Sequence, residues 1–136
     1  MRTLTLLAIL SLASCGTANG VLAQRFPANY PKHTQRVKFQ RGKTTTVIRS
    51  VARTPGIYEW VVRARAGQHM TLHLTSSNKG VELSVYGPKD ENPDDALGVY
   101  DWEGDLGISG DYTIILINNR EGGPRNPTYR LEVTVK

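Results

Sequence analysis

From Thr34 to the end of the chain, apolar and polar residues alternate in short runs broken by Gly, Asn and Pro, the two-residue period of β-strands. Val37 and Phe39 alternate with charged residues up to Arg41-Gly42, and Thr44 to Val51 is a β-branched run. Tyr58, Trp60, Val62 and Ala64 alternate with Glu59, Arg63 and Arg65, which predicts a strand with one wet face, turned by Ala66-Gly67-Gln68. Met70, Leu72 and Leu74 alternate with His69, Thr71, His73 and Thr75; Val81, Leu83 and Val85 resume the pattern after a turn at Ser77 to Gly80. A short strand is expected near Leu97 to Trp102, then a turn at Gly104 to Gly110, a strand through Tyr112, Ile114 and Leu116, and a last one through Tyr129, Leu131, Val133 and Val135. No window carries a helical period. About eight short strands predict an all-β fold, a single antiparallel β-sandwich of the jelly-roll or sandwich-like kind, because each sheet needs a second layer over its apolar face.

The chain has 136 residues, enough for one hydrophobic core, and its 39% hydrophobic and 21% charged content is that of a globular domain. Residues 1–15 are organised differently. Arg2 provides a positive start, Leu4 to Ala13 an apolar run too short to span a bilayer, and small residues follow, as in an export signal. Leu12-Ala13-Ser14-Cys15 resembles the lipobox of bacterial lipoproteins, which implies lipidation of Cys15, the one cysteine of the chain. Gly16 behind it resembles the outer-membrane sorting pattern. A plain signal cleaved after Val21-Leu22-Ala23 is the other reading. Residues 16–33, aperiodic and rich in Gly, Asn and Pro, are expected to be a flexible linker, and residues 34–136 the sandwich domain. The expected location is the periplasm, with contact to a membrane only through the N-terminal anchor.

The formal charge of +5 is unevenly distributed. Between Asp90 and Asp111 stand eight acidic residues, Asp90, Glu91, Asp94, Asp95, Asp101, Glu103, Asp105 and Asp111, without a Lys or Arg. Such an end repels a phosphate backbone and steers a partner with a basic rim, so nucleic acid is not an expected ligand. The plainer reading is two solubilising loops. Asp94, Asp95, Asp101 and Asp105 are the oxygen ligands available for a calcium ion if folding brought them together, although no EF-hand spacing is present.

Catalytic chemistry has little to stand on. His69 and His73 fall on one side of one strand about 14 Å apart by strand rise, too far to share a metal, and no nucleophile elbow, metalloprotease helix or phosphate loop is visible. No enzyme activity and no cofactor are expected.

Five segments carry a family resemblance: Arg63-Ala64-Arg65-Ala66-Gly67-Gln68, Val85-Tyr86-Gly87-Pro88, Asp101-Trp102-Glu103-Gly104, Ser109-Gly110-Asp111-Tyr112-Thr113-Ile114 and Tyr129-Arg130-Leu131-Glu132-Val133. In this order and spacing the stretch from Tyr58 to Val135 resembles the periplasmic inhibitors of g-type lysozyme, and more distantly the pre-peptidase C-terminal domains of secreted proteases. The first resemblance implies a lysozyme partner blocked by a loop inserted into its active-site cleft. The second implies a non-catalytic envelope binding or adaptor module, glycan- or calcium-binding. Ser109-Gly110-Asp111-Tyr112 is similar to the inhibitors' Ser-Gly-Xaa-Tyr loop motif, which would make Ser109 and Tyr112 the functional hydroxyls and Gly110 the residue permitting the turn. Asp101, Trp102 and Asp105 border it and complete the expected partner-binding surface, carried on a hairpin projecting from the scaffold. A structural reading competes for two of them: Tyr112 as an inward strand residue with its hydroxyl tied to backbone, and Trp102 as core.

Overall fold

The computed structural model describes residues 30–118 and 126–136. Cys15, the alternative cleavage point at Ala23 and most of the expected linker lie outside the described residues. Eight strands form: β1 (Lys32–Arg36), β2 (Thr45–Val51), β3 (Ile57–Ala64), β4 (His69–Ser76), β5 (Val81–Tyr86), β6 (Asp101–Asp105), β7 (Gly110–Asn118) and β8 (Thr128–Val135). They make two four-stranded sheets, ordered β1-β3-β7-β5 and β2-β8-β4-β6.

The alternating side chains meet between the sheets. Met70, Leu72 and Leu74 of β4 and Leu131, Val133 and Val135 of β8 face Val62 and Ala64 of β3, Tyr112, Ile114 and Leu116 of β7, and Val81, Leu83 and Val85 of β5. Each Val, Leu, Ile or Met among them, buried fully, contributes roughly 1.5–3 kcal/mol. Register fixes which residues share a layer: Leu72 stands between Val133 and Trp102, and Ile114 between Trp60 and Val85.

Three expectations are corrected. The first strand runs over Lys32–Arg36 rather than through Val37 and Phe39, so the ordered domain begins before Thr34. It is exposed throughout and pairs parallel with β3, which makes that sheet mixed rather than purely antiparallel. An edge strand with no buried face carries no hydrophobic period, so pattern reading passes over it. Second, Glu59 is buried: β1 lies beside it, Lys32 Nζ sits 2.8 Å from one carboxylate oxygen, and the Thr34 hydroxyl donates to the other at 2.8 Å. Third, β6 spans Asp101–Asp105 instead of Leu97 to Trp102. The preceding segment changes sheets: Val99 bridges Leu83, and the next carbonyl, of Tyr100, accepts from Leu74 N–H in the other sheet. With a single buried side chain, Trp102, β6 offers almost no alternation to read.

Candidate functional site

At the end of the sandwich where β3 leaves for β4 and β6 leaves for β7, the acidic stretch closes into a groove of about 560 Å³. Glu91, Asp94 and Asp95 stand on one side and Asp101, Glu103 and Asp105 on the other, with Trp102 and Tyr112 among the lining residues. The fold therefore gathers six of the eight acids at one place. β6 delivers its three because strand alternation sends Asp101, Glu103 and Asp105 outward while Trp102 goes inward. Asp111 is turned away to the outer face of the other sheet. There Arg36 grips it with two hydrogen bonds, 3.2 and 2.7 Å, and Arg63 approaches to 3.7 Å. The hydrogen bonds from Arg36 hold the Asp111 carboxyl below the usual carboxylate range.

Histidines back the β6 acids. Cross-strand register places His69 opposite Asp105 and His73 opposite Asp101. His69 Nδ1 is 2.7 Å from Asp105 and its Nε2 3.5 Å from Glu103, and His73 Nδ1 bonds Asp101. The hydrogen bond to Asp105, aided by Glu103, raises the His69 pKa above its usual 6.5. Because the folded value is raised, this ion pair contributes its stability fully below the unfolded value and loses it as pH rises through the folded one. An NMR titration is expected to show His69 titrating above 6.5, and Asp105→Asn to bring it back down; an unmoved midpoint in that variant would contradict the pairing.

The connection from β6 to β7 passes from one sheet to the other, so Ser109 rides on a cross-sheet turn rather than on a projecting hairpin. That turn is held against its neighbour: Leu106 N–H donates to Gln68 O at 2.8 Å, Gly67 N–H to Leu106 O at 2.8 Å, and Ala66 N–H to Ser109 Oγ at 2.8 Å. Ser109 is nonetheless exposed, and with Oγ serving as acceptor its own hydroxyl proton is uncommitted among the described residues. Tyr112 takes the structural role. Its ring is buried, and its hydroxyl donates to Ile108 O at 2.7 Å, bracing the turn from within. Gly110 has φ +156°, and a Cβ there would stand 2.8 Å from Pro88 Cβ, so the turn and the Pro88 segment pack as closely as glycine allows. Trp102 is likewise core: it is 8% exposed, and its indole N–H donates to Asp94 O at 3.0 Å.

Of the expected partner-binding residues, Ser109, Asp101 and Asp105 stand exposed, Asp101 and Asp105 lining the groove from the two ends of β6, whereas Tyr112 and Trp102 are buried beneath it and Gly110 packs the turn against Pro88. Asp94, Asp95, Asp101 and Asp105 line the same groove, but no three or more carboxylates, histidines or cysteines converge on a metal-sized point among the described residues. Glu91, Glu103, His69 and the Ala66 to Gln68 turn were not singled out for the site by sequence reasoning. The signal that could have found His69 and Glu103 is strand alternation combined with the β4–β6 register, and only the second part was missing.

No family model matches this chain, and no curated protein matches it in sequence. Solved structures do match. The crystal structure of PliG from Aeromonas hydrophila, a periplasmic lysozyme inhibitor of g-type lysozyme, superimposes with a TM-score of 0.65 at 22% identity, over 78% of this chain and 98% of that one. PliG from Salmonella Typhimurium gives 0.57 at 19% identity over 76% and 98%, and a mutant of the Escherichia coli protein 0.53 at 20% over 78% and 99%. Likeness that spans nearly the whole of each of those proteins shows that this chain has the β-sandwich fold found in the periplasmic inhibitors of g-type lysozyme.

Proposed function

We propose that this domain is a non-catalytic inhibitor of a lysozyme, of the g-type in the first instance, and that it works in the periplasm. The observation that carries the reading is the pairing of that fold with a groove rimmed by six carboxylates beside an exposed, braced turn. Lysozymes cleave with a carboxylic acid that must deliver a proton to the glycosidic oxygen. Ser109, with its free hydroxyl proton, suits a carboxylate acceptor, so insertion of its turn would fill the enzyme's cleft and engage the acid together. The acids around the turn then serve a basic cleft rim, raising the rate of encounter more than the final affinity. The bracing by Tyr112, Ala66 and Pro88 matters energetically, since a turn already ordered loses little entropy on binding.

The protein is expected to slow lysis of peptidoglycan by a g-type lysozyme, and Ser109→Ala to weaken inhibition by about tenfold or more, the equivalent of ~1.4 kcal/mol. Undiminished lysis at saturating wild-type protein would end the reading. Joint neutralisation of Asp101, Glu103 and Asp105 should chiefly slow association and flatten its dependence on salt, measured by stopped flow. Lipidation at Cys15 belongs to the same proposal: mass spectrometry of the mature N-terminus should find a diacylated cysteine, and Cys15→Ala should shift the protein from the membrane to the soluble fraction. A mature chain beginning after Ala23 would exclude the anchor.

A further inference from the structure

A second polar site lies on the outer face of the β2-β8-β4-β6 sheet, at the end of β4 away from His69. Arg49 on β2 and Arg130 on β8 are direct partners in the antiparallel register, and Thr75 on β4 is the next residue in that row. The following row holds Val51 and Thr128, with Ser77 bonded to Thr128 through N–H to O at 2.9 Å and a return from Thr128 N–H to Ser77 Oγ at 3.0 Å. These residues line an open cleft of about 490 Å³. Two like charges directly opposite on paired strands oppose folding unless something neutralises them. Glu132, one row away, takes a single guanidinium nitrogen of Arg130, 2.7 Å from its carboxylate. Arg49 has no carboxylate partner among the described residues.

We infer that this cleft binds a phosphate group. Two guanidinium forks on directly paired positions of adjacent strands line one cleft, and a guanidinium fork is suited to bidentate recognition of phosphate oxygens. The Thr75 hydroxyl at one side supplies a neutral donor, and a phosphomonoester would meet the Arg49 charge together with the guanidinium N–H groups of Arg130 that Glu132 leaves free. The cleft is open and shallow, so the phosphate is the recognised part and the group it is attached to remains in solvent or in a surface. The acids of the groove lie on the far side of β4, on β6 or beyond it; no carboxylate is among the residues lining the cleft, and Glu132 reaches it through its ion pair with Arg130. The inference stands independently of the inhibitor reading, because it uses no residue of the groove.

The test uses the full protein and three probes: inorganic phosphate, a soluble sugar phosphate, and vesicles of phosphatidylcholine with or without phosphatidic acid. Phosphate and sugar phosphate should raise the thermal midpoint of the wild type and shift the amide resonances around Arg49, Thr75, Ser77, Thr128 and Arg130. Arg49→Gln should weaken binding about tenfold or more, while raising the ligand-free midpoint by about 1–2 °C through relief of the like-charge contact. That opposite movement separates a ligand site from a structural arginine. Sedimentation with phosphatidic acid vesicles alone, lost in Arg49→Gln, assigns the phosphate to a lipid headgroup; binding of the soluble probes without sedimentation assigns it to a soluble phosphomonoester. No response to any probe, or a response unchanged in both Arg49→Gln and Arg130→Gln, overturns the inference.

Discussion

Trp102→Ala is expected to lower the stability of the domain by about 3–5 kcal/mol, the cost of emptying a large aromatic site in a core. The indole lies between the sheets and packs over Gly104, where a Cβ would come within 2.6 Å of the ring. It is the single buried side chain of β6, and its N–H holds the Asp94 carbonyl. One residue thus seats both walls of the acidic groove, the β6 acids and the Asp94-Asp95 segment. Thermal unfolding followed by circular dichroism measures the loss. Trp102→Phe should retain much of the packing and lose the hydrogen bond, for a smaller cost on the order of 1–2 kcal/mol. If Trp102→Ala left the midpoint unchanged while weakening partner binding, the indole would be a surface anchor and not core. A fall in both is expected here, because the groove cannot keep its shape without its floor.

Gly110→Ala should cost about 1–3 kcal/mol, the range for a residue forced into backbone space that side chains avoid. Two effects combine at this position: φ of +156° and the approach of Pro88 Cβ and Cγ to 2.8 and 3.0 Å of an added methyl. Pro88 belongs to a short 3-10 turn whose ring cannot swing aside as a flexible chain would. Relief must come from moving the Ile108 to Gly110 turn, so the damage should appear first at Ser109. Exchange of the Ala66 amide proton, which Ser109 Oγ accepts, is the direct measurement. Protection equal to the wild type, together with an unchanged midpoint, would show that the turn does not need glycine.

The alternating strands were legible because their alternation is itself the result of burial. Met70, Leu72 and Leu74, and Tyr129, Leu131, Val133 and Val135, are buried as their spacing demands. Ile57 and Ile115 were less legible: they sit on the outer side of their sheet yet are nearly covered, so an apolar position did not imply the inner face. The acidic stretch was visible as composition, but its division was not. Six acids share the groove while Asp111 pairs with Arg36, 75 positions away, because a strand beginning at Gly110 alternates its next residues to opposite faces of another sheet. The Ser109 segment was recognisable as a loop motif, whereas its attachment to Ala66 arises from two turns meeting at one end of the sandwich.

By itself, the chain's pattern of apolar residues determined that this is an all-β sandwich with a core between two sheets, since a period of two leaves each sheet one face to bury. The distribution of charge marked one strongly acidic stretch, and the resemblance to the lysozyme inhibitors singled out Ser109-Gly110-Asp111-Tyr112. Tertiary structure alone decided that β1 pairs parallel, that Tyr112 and Trp102 turn inward, that histidines back the β6 acids, and that Arg49 meets Arg130. The reason is physical: hydrophobic period is a local property of each strand, whereas register and sheet order join residues tens of positions apart, and these are set by how all the strands pack at once.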